Sequence, residues 1–106
     1  MKTEAAKAIR VGNAVNVVKG DPRGVFYDLF EPDEAAELTM RATLLNALQA
    51  WLAESGLTQA KAAAQLGVTQ ARVSDIKRGK INSVSLDLLV RLAVRAGFSP
   101  ELKIAA

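Results

Sequence analysis

The chain has 106 residues and a formal net charge of +3, and it contains neither cysteine nor histidine. This length predicts one domain, or one domain with an arm, able to form a core without covalent cross-links. Without cysteine there are no disulfides or thiolate metal sites, and without histidine the usual general base and most zinc sites are missing. No catalytic, cofactor or metal constellation stands out, so we expect a protein that is not an enzyme and needs neither cofactor nor metal.

No apolar stretch approaches the roughly 20 residues of a membrane span, and the first residues lead into no signal-peptide core, so the expected location is cytoplasmic. The charge is distributed unevenly. Residues 28–54 carry six acidic side chains against Arg41, a balance of −5, whereas residues 57–95 have a balance of +5. The basic half fits a polyanion partner, although the same charges also suit an ordinary solvated surface.

The first 32 residues are predicted to form an arm or lid preceding the helical domain of residues 33–98. Apolar residues fall on odd positions between 9 and 17, which indicates a short strand or an extended arm, and a turn or link is predicted at 20–24. Residues 25–30 hold three of the five aromatic side chains. They form either a lid packed on the helical core or an apolar patch for a partner protein.

From Pro32 onward the apolar residues recur at helical spacing. A first long helix is predicted over residues 33–54, with acidic residues at its start and Gly56 just beyond its end. Its apolar stripe consists of Leu38, Ala42, Leu45, Leu48 and Leu52, widened by Leu44 and Trp51. We expect Trp51 to anchor the core.

Three shorter helices are predicted next, each preceded by a hydroxyl residue able to cap it. Thr58 precedes a helix that runs to Leu66 and stops at Gly67, and Thr69 precedes one that runs to Arg78 and stops at Gly79. Ser83 or Ser85 caps a last helix, which ends at Gly97 and Pro100 and leaves residues 99–106 as a tail. Leu86, Leu89, Val90 and Ala93 are predicted to share the apolar face of this last helix, which Leu88 and Leu92 broaden.

Residues 57–79 place a helix, a glycine turn and a second helix in the order of a helix-turn-helix. Two short helices that cross steeply need small residues where they meet, and the turn between them needs positive φ. Leu66 and Val68 are also expected to hold the two helices against the core. We assign the motif core to Ala63, Gly67, Val73 and Ile76.

With Val73 and Ile76 inward, the second helix presents a polar face whose N-terminal half would enter the major groove of DNA. Gln70 suits adenine, Arg72 suits guanine O6 and N7, and Ala71 suits the thymine methyl group. Asp75 either accepts from cytosine or pairs with Arg72 or Lys77, and the pairing is favoured. The predicted base-reading residues are thus Gln70, Ala71, Arg72 and Asp75.

A second set of polar residues is predicted to contact phosphates, which position a protein on DNA without reading sequence. For the three basic residues of this set, the alternative is a solvated helix end that complements the helix dipole. The set comprises Gln59, Thr69, Ser74, Lys77, Arg78 and Lys80.

The run from Leu57 to Gly79, followed by Ser85-Leu86-Asp87-Leu88-Leu89, resembles the Xre (Cro/cI-like) family of bacterial regulators. The resemblance covers about residues 40–98 and implies a compact helical bundle that binds palindromic operators as a homodimer. The aromatic segment 25–30 and the acidic start of the next helix resemble the branch that contains antitoxins of HigA type. Membership of that branch implies neutralisation of a RelE/HigB-like ribonuclease toxin and repression of the antitoxin's own operon.

We therefore expect a DNA-binding antitoxin and autorepressor of the bacterial cytoplasm, associated with the nucleoid through its operator. The alternatives are a stand-alone regulator without a toxin and a protein-interaction domain that uses the fold without DNA. The dimer interface is expected either on the apolar helix 85–96 with Phe98, or on the N-terminal strand.

Overall fold

Helices make up most of the structure, a computed structural model that describes residues 15–16 and 25–105. Within these residues no helix combines the length and apolar character that a membrane span requires. The order of elements confirms the expected mainly helical bundle with a helix-turn-helix. The elements are β1 (Val15–Asn16), α1 (Val25–Leu29), α2 (Pro32–Ser55), α3 (Gln59–Leu66), α4 (Gln70–Lys77), a 3₁₀ turn (Ile81–Ser83), α5 (Leu86–Arg95) and β2 (Leu102–Lys103).

The long helix α2 begins one residue before the predicted helix and ends one residue after it. Pro32 occupies its first turn, where a missing N–H costs nothing, and Gly56 ends it with φ 73° in the left-handed region. Its buried residues are Ala35, Leu44, Leu45, Ala47 and Leu48. Leu38, Ala42 and Leu52 from the predicted stripe are only half-buried. The buried surface departs from one stripe because α1, α4 and α5 all pack against this helix.

The core has two parts, which the half-buried Trp51 and Leu52 join. The larger part lies between α2 and α5 and includes the fully buried Leu48, Leu66 and Ile76. The smaller part lies inside the helix-turn-helix and consists of Ala62, Ala63 and Val73. Trp51 contacts both parts, so the predicted core anchor is confirmed, and it connects the motif to the rest of the bundle.

The last helix, α5, is rotated relative to the predicted face. Leu89, Leu92 and Ala93 are buried, whereas Val90 is 39% exposed and Val94 57% exposed. Val90 of the predicted apolar face therefore does not face the core, because apolar residues cover most of this helix and periodicity alone does not show which of them are buried. Ser85 is the cap: its hydroxyl accepts from the Leu88 N–H at 3.3 Å.

The N-terminal part packs on the bundle through α1, which contacts α2. Phe26 is half-buried there, as a lid requires, but Leu29 remains 71% exposed and Phe30 43% exposed. Of the predicted N-terminal strand, Val15–Asn16 forms β1, which pairs in parallel with β2. The other positions of that strand and the predicted turn at 20–24 lie outside the described residues.

Candidate nucleic-acid interface

Helices α3 and α4 are held in place by caps that the sequence specifies locally. The Thr58 hydroxyl accepts from the Lys61 N–H, and the Thr69 hydroxyl accepts from the Arg72 N–H, both at 3.1 Å. Each bond satisfies an amide that the first turn of a helix leaves without a partner. Both predicted N-caps are confirmed, and so is the end of α3 at Gly67.

The turn between the helices depends on Gly67, whose φ of 71° lies in the left-handed region. A Cβ atom added there would lie 3.3 Å from Nη1 of Arg95. That guanidinium donates to the Leu66 carbonyl at 2.8 Å, and the Gln65 side chain donates back to the Arg95 carbonyl at 3.3 Å. The turn therefore needs glycine for its backbone and for the arginine that ties it to α5.

The other residues of the predicted motif core lie where a helix-turn-helix places them. Val73 and Ile76 are fully buried, and Ala63 is buried at the crossing of α3 with α4. Val73 joins the small cluster inside the motif, and Ile76 joins the large core. Helix α4 is consequently fixed on one side and free on the other.

The free side of α4 begins with Gln70 and Ala71, both exposed in the first turn of the helix. No other part of the bundle covers these two positions among the described residues, so their side chains can approach the edge of a base pair. Asp75 follows one turn later and is partly covered by its charged neighbours.

Arg72 lies on the flank of α4 that faces the 3₁₀ turn. Its Nη1 donates to the Ser83 carbonyl and lies 4.0 Å from Oδ2 of Asp75. Asp75 also pairs with Arg78 at 3.6 Å, so the expected pairing with Arg72 is confirmed and Arg78 is a second partner. The Arg72 guanidinium is thus bound to the protein itself, and any contact with a base would require it to leave Ser83.

The residues predicted to contact phosphates lie around this helix. Gln59, Thr69, Lys77, Arg78 and Lys80 are exposed, and Ser74 is half-buried. Gln59 and Lys77 line one cleft of about 540 Å³ between α2, α3 and α4. Lys77 and Arg72 therefore border α4 on opposite sides, an arrangement that suits contacts to the two strands flanking a groove.

Two residues of α2 support the interface and were not predicted. Gln49 donates to the Lys77 carbonyl at the end of α4 at 3.3 Å, and Arg41 donates to the Ile81 carbonyl at 3.2 Å. The first accepting oxygen lies in the last turn of α4, and the second lies in the 3₁₀ turn. Their partners are 28 and 40 residues away in sequence, so no local pattern indicates these contacts.

At the start of α5, the carboxylate of Asp87 accepts a hydrogen bond from the Ser85 hydroxyl. This bond is the main reason that the pKa of Asp87 is lowered, and the positive charge of Arg91 acts in the same direction. The contacts at the start of α5 therefore favour the charged form of the Asp87 carboxylate.

Comparison with protein families matches residues 25–105 to a family described as a helix-turn-helix domain. No curated protein matches the chain. The match includes α1 and β2 as well as the motif, so the family's sequence pattern extends over the bundle described above. The match supports a DNA-binding regulator, and the exposed first turn of α4 agrees with it. The chain belongs to this helix-turn-helix domain family.

Proposed function

We propose that the chain is a sequence-specific transcriptional repressor and the antitoxin of a type II toxin–antitoxin pair. The observation that carries the repressor role is the first turn of α4, where Gln70 and Ala71 are exposed on a helix whose opposite side is fully buried. A rigid helix with polar side chains at its exposed N-terminal end is what major-groove recognition uses.

Base reading is assigned to Gln70, Ala71 and Arg72, whereas Asp75, the fourth candidate, pairs with the neighbouring arginines. Gln70 bonds adenine and Ala71 contacts a thymine methyl group. Arg72 bonds guanine once its guanidinium exchanges the Ser83 carbonyl for the base, and Asp75 then keeps Arg78 as its remaining partner. Phosphate contacts are assigned to Gln59, Thr69, Ser74, Lys77, Arg78 and Lys80, several of which are amides or hydroxyls that position without adding charge.

The repressor acts as a homodimer on a palindromic operator. A group of exposed apolar side chains on α5 and in the C-terminal segment supports this, because apolar surface of this kind is stabilised by burial against a second copy. The group comprises Val90, Val94, Leu102 and Ile104.

The antitoxin role is supported by the acidic half of the chain, residues 28–54, with its net charge of −5. The proposed partner is a RelE/HigB-like ribonuclease, and a nuclease that handles RNA needs a basic surface to bind phosphates. Opposite charges on the two proteins speed association and select against wrong partners. The complex represses the operon that encodes both proteins.

Binding to a palindrome in the chain's own promoter tests the repressor role. We expect affinity to fall steeply with salt, and Arg72→Ala to weaken binding by about 1–3 kcal/mol, concentrated at one base position. Lys103→Ala, which removes an exposed positive charge from β2, is the charge-matched control. An equal loss on every operator variant would contradict base reading by Arg72 and indicate that it only holds α4 against the 3₁₀ turn.

Co-expression with the product of the neighbouring gene tests the antitoxin role. We expect a basic ribonuclease that co-purifies with this chain and is inactive in the complex. If the neighbouring gene encodes no such protein while operator binding persists, the chain is a stand-alone regulator. If neither DNA nor a toxin is bound, the fold serves protein interaction alone.

A further inference from the structure

A groove lies on the opposite end of α2 from the helix-turn-helix turn, between α1, the start of α2 and the 3₁₀ turn. Its volume is about 350 Å³, and its apolar lining comes from Phe26, Phe30, Leu38 and Ile81. Phe26 and Phe30 form a tilted aromatic pair with ring centroids 6.4 Å apart. Their geometry leaves Phe30 43% exposed at the mouth of the groove, next to Leu29, which is 71% exposed.

The rim of this groove is acidic. Glu34 and Glu37 line it, and Glu31 and Asp33 are exposed just before them on the same segment. The one base in this part of the sequence, Arg41, is already engaged: its guanidinium contacts Glu37 Oε2 at 3.0 Å and the Ile81 carbonyl at 3.2 Å. Among the described residues, no other basic side chain pairs with the rim, so its remaining negative charge is balanced by solvent cations, by basic side chains of residues 1–24 or by a partner.

We propose that this groove is the docking site for a basic, amphipathic segment of a partner protein. Apolar side chains of that segment enter between Phe30 and Ile81, and lysine or arginine side chains pair with Glu34 and with the outer oxygen of Glu37. This inference rests on the proposed function: the partner is the toxin, and the groove is the surface through which the antitoxin binds it.

Charge argues against three other occupants of the groove. A second copy of the chain docking here about a two-fold axis would bring its own acidic rim against this one, since a two-fold interface joins the same patch on both copies. Nucleic acid and anionic lipid would meet the same repulsion. A basic protein surface gains from both the apolar lining and the rim, because like charges at an interface cost free energy and opposite charges select the partner.

A probe peptide tests the groove without the toxin. A labelled helix of leucine and lysine, about 15 residues long so that it can fold on its own, is titrated against the full chain beside its glutamate counterpart. We expect only the lysine peptide to bind. Glu34→Lys should weaken it about tenfold at low salt, since one attraction becomes a repulsion. Phe30→Ala should weaken it as well, with the melting temperature checked for each variant.

Glu54→Lys is the matched control, because it makes the same charge change at the other end of α2, about 30 Å away. Equal affinity of the parent chain and of the Glu34 and Phe30 variants would overturn the groove, as would equal weakening by Glu54→Lys. A photo-crosslinker at position 30 adds an independent measurement. Crosslinks to the toxin support the proposal, whereas crosslinks within the same chain to residues 1–24, or to a second copy, overturn it.

The toxin itself separates this proposal from the proposed function. If the toxin binds the parent chain and the Glu34 and Phe30 variants equally well, the antitoxin role is supported and the groove is not the docking site. If the chain neutralises no toxin but the lysine peptide still depends on Glu34 and Phe30, the groove stands and the antitoxin role is wrong. In both cases the operator affinity of Glu34→Lys should equal that of the parent chain.

Discussion

The helix-turn-helix segment, residues 57–79, buries its large apolar side chains, whereas the segment of residues 25–41 leaves large ones exposed. In the first, Leu66, Val73 and Ile76 are fully buried, and each helix has a side-chain cap at its start. In the second, Leu29 and Phe30 are exposed beside exposed acidic side chains, and α2 begins without a side-chain cap. The difference indicates that the first segment was shaped to hold one geometry and the second to present a surface.

The largest expected effect comes from exchanging one leucine in each setting. Leu66→Ala removes a fully buried side chain from the end of α3 and should lower the free energy of unfolding by about 2–5 kcal/mol. Leu29→Ala shortens a side chain that is 71% exposed, and it should change the free energy of unfolding by no more than about 0.5 kcal/mol. Urea denaturation of both variants measures the contrast, and similar costs would abolish the distinction between the two segments.

A smaller effect is expected at the helix starts. Thr69→Ala removes the hydroxyl that accepts the Arg72 N–H and should cost about 1 kcal/mol of stability. Glu31 precedes α2 without a side-chain hydrogen bond to it, so Glu31→Ala should cost less. Thermal unfolding of the pair compares a cap with a position that only resembles one. A larger loss of stability for Glu31→Ala than for Thr69→Ala would contradict this expectation.

The smallest effect concerns Asp87, whose pKa is lowered mainly by the hydrogen bond from Ser85. A lowered carboxyl pKa stabilises the folded chain above the ordinary value of 3.8, and this contribution disappears as the pH falls through the pKa in the folded state. We expect Asp87→Asn to unfold at a slightly lower temperature than the parent at pH 7. The gap should close below pH 3.8, and a constant gap would exclude a contribution from the charge.

Local contacts were predictable from the sequence, and distant ones were not. Thr58, Thr69 and Gly67 act on residues within one turn of themselves, so their identity and spacing determine the outcome. Arg41 and Gln49 act on carbonyls in other elements, and their partners depend on how the helices pack. The same holds for Arg72: its position on α4 follows from periodicity, but its bond to Ser83 follows from the path of the chain after Gly79.

The face of α5 was harder to predict for a different reason. Seven of its ten residues are apolar, including Val90 and Val94, and its polar stripe of Asp87, Arg91 and Arg95 is too narrow to show which apolar residues beside it face solvent. The apolar pattern of the sequence predicts the helix, but the side of the helix that faces the core depends on the elements that pack against it. Val90 and Val94, which are left exposed, belong to the proposed dimer interface.

The paired hydrogen bonds between the end of α3 and the end of α5 have a consequence for the operator. Arg95 and Gln65 tie the turn of the helix-turn-helix to α5, the helix that carries the proposed dimer interface. In the proposed dimer, the two copies of α4 would therefore be held at a fixed separation. Half-sites read by such dimers lie about one turn of DNA apart, roughly 10 base pairs. Inserting one base pair between the half-sites would lengthen the distance between them and rotate one of them about the DNA axis. A dimer of fixed separation should therefore bind such an operator more weakly.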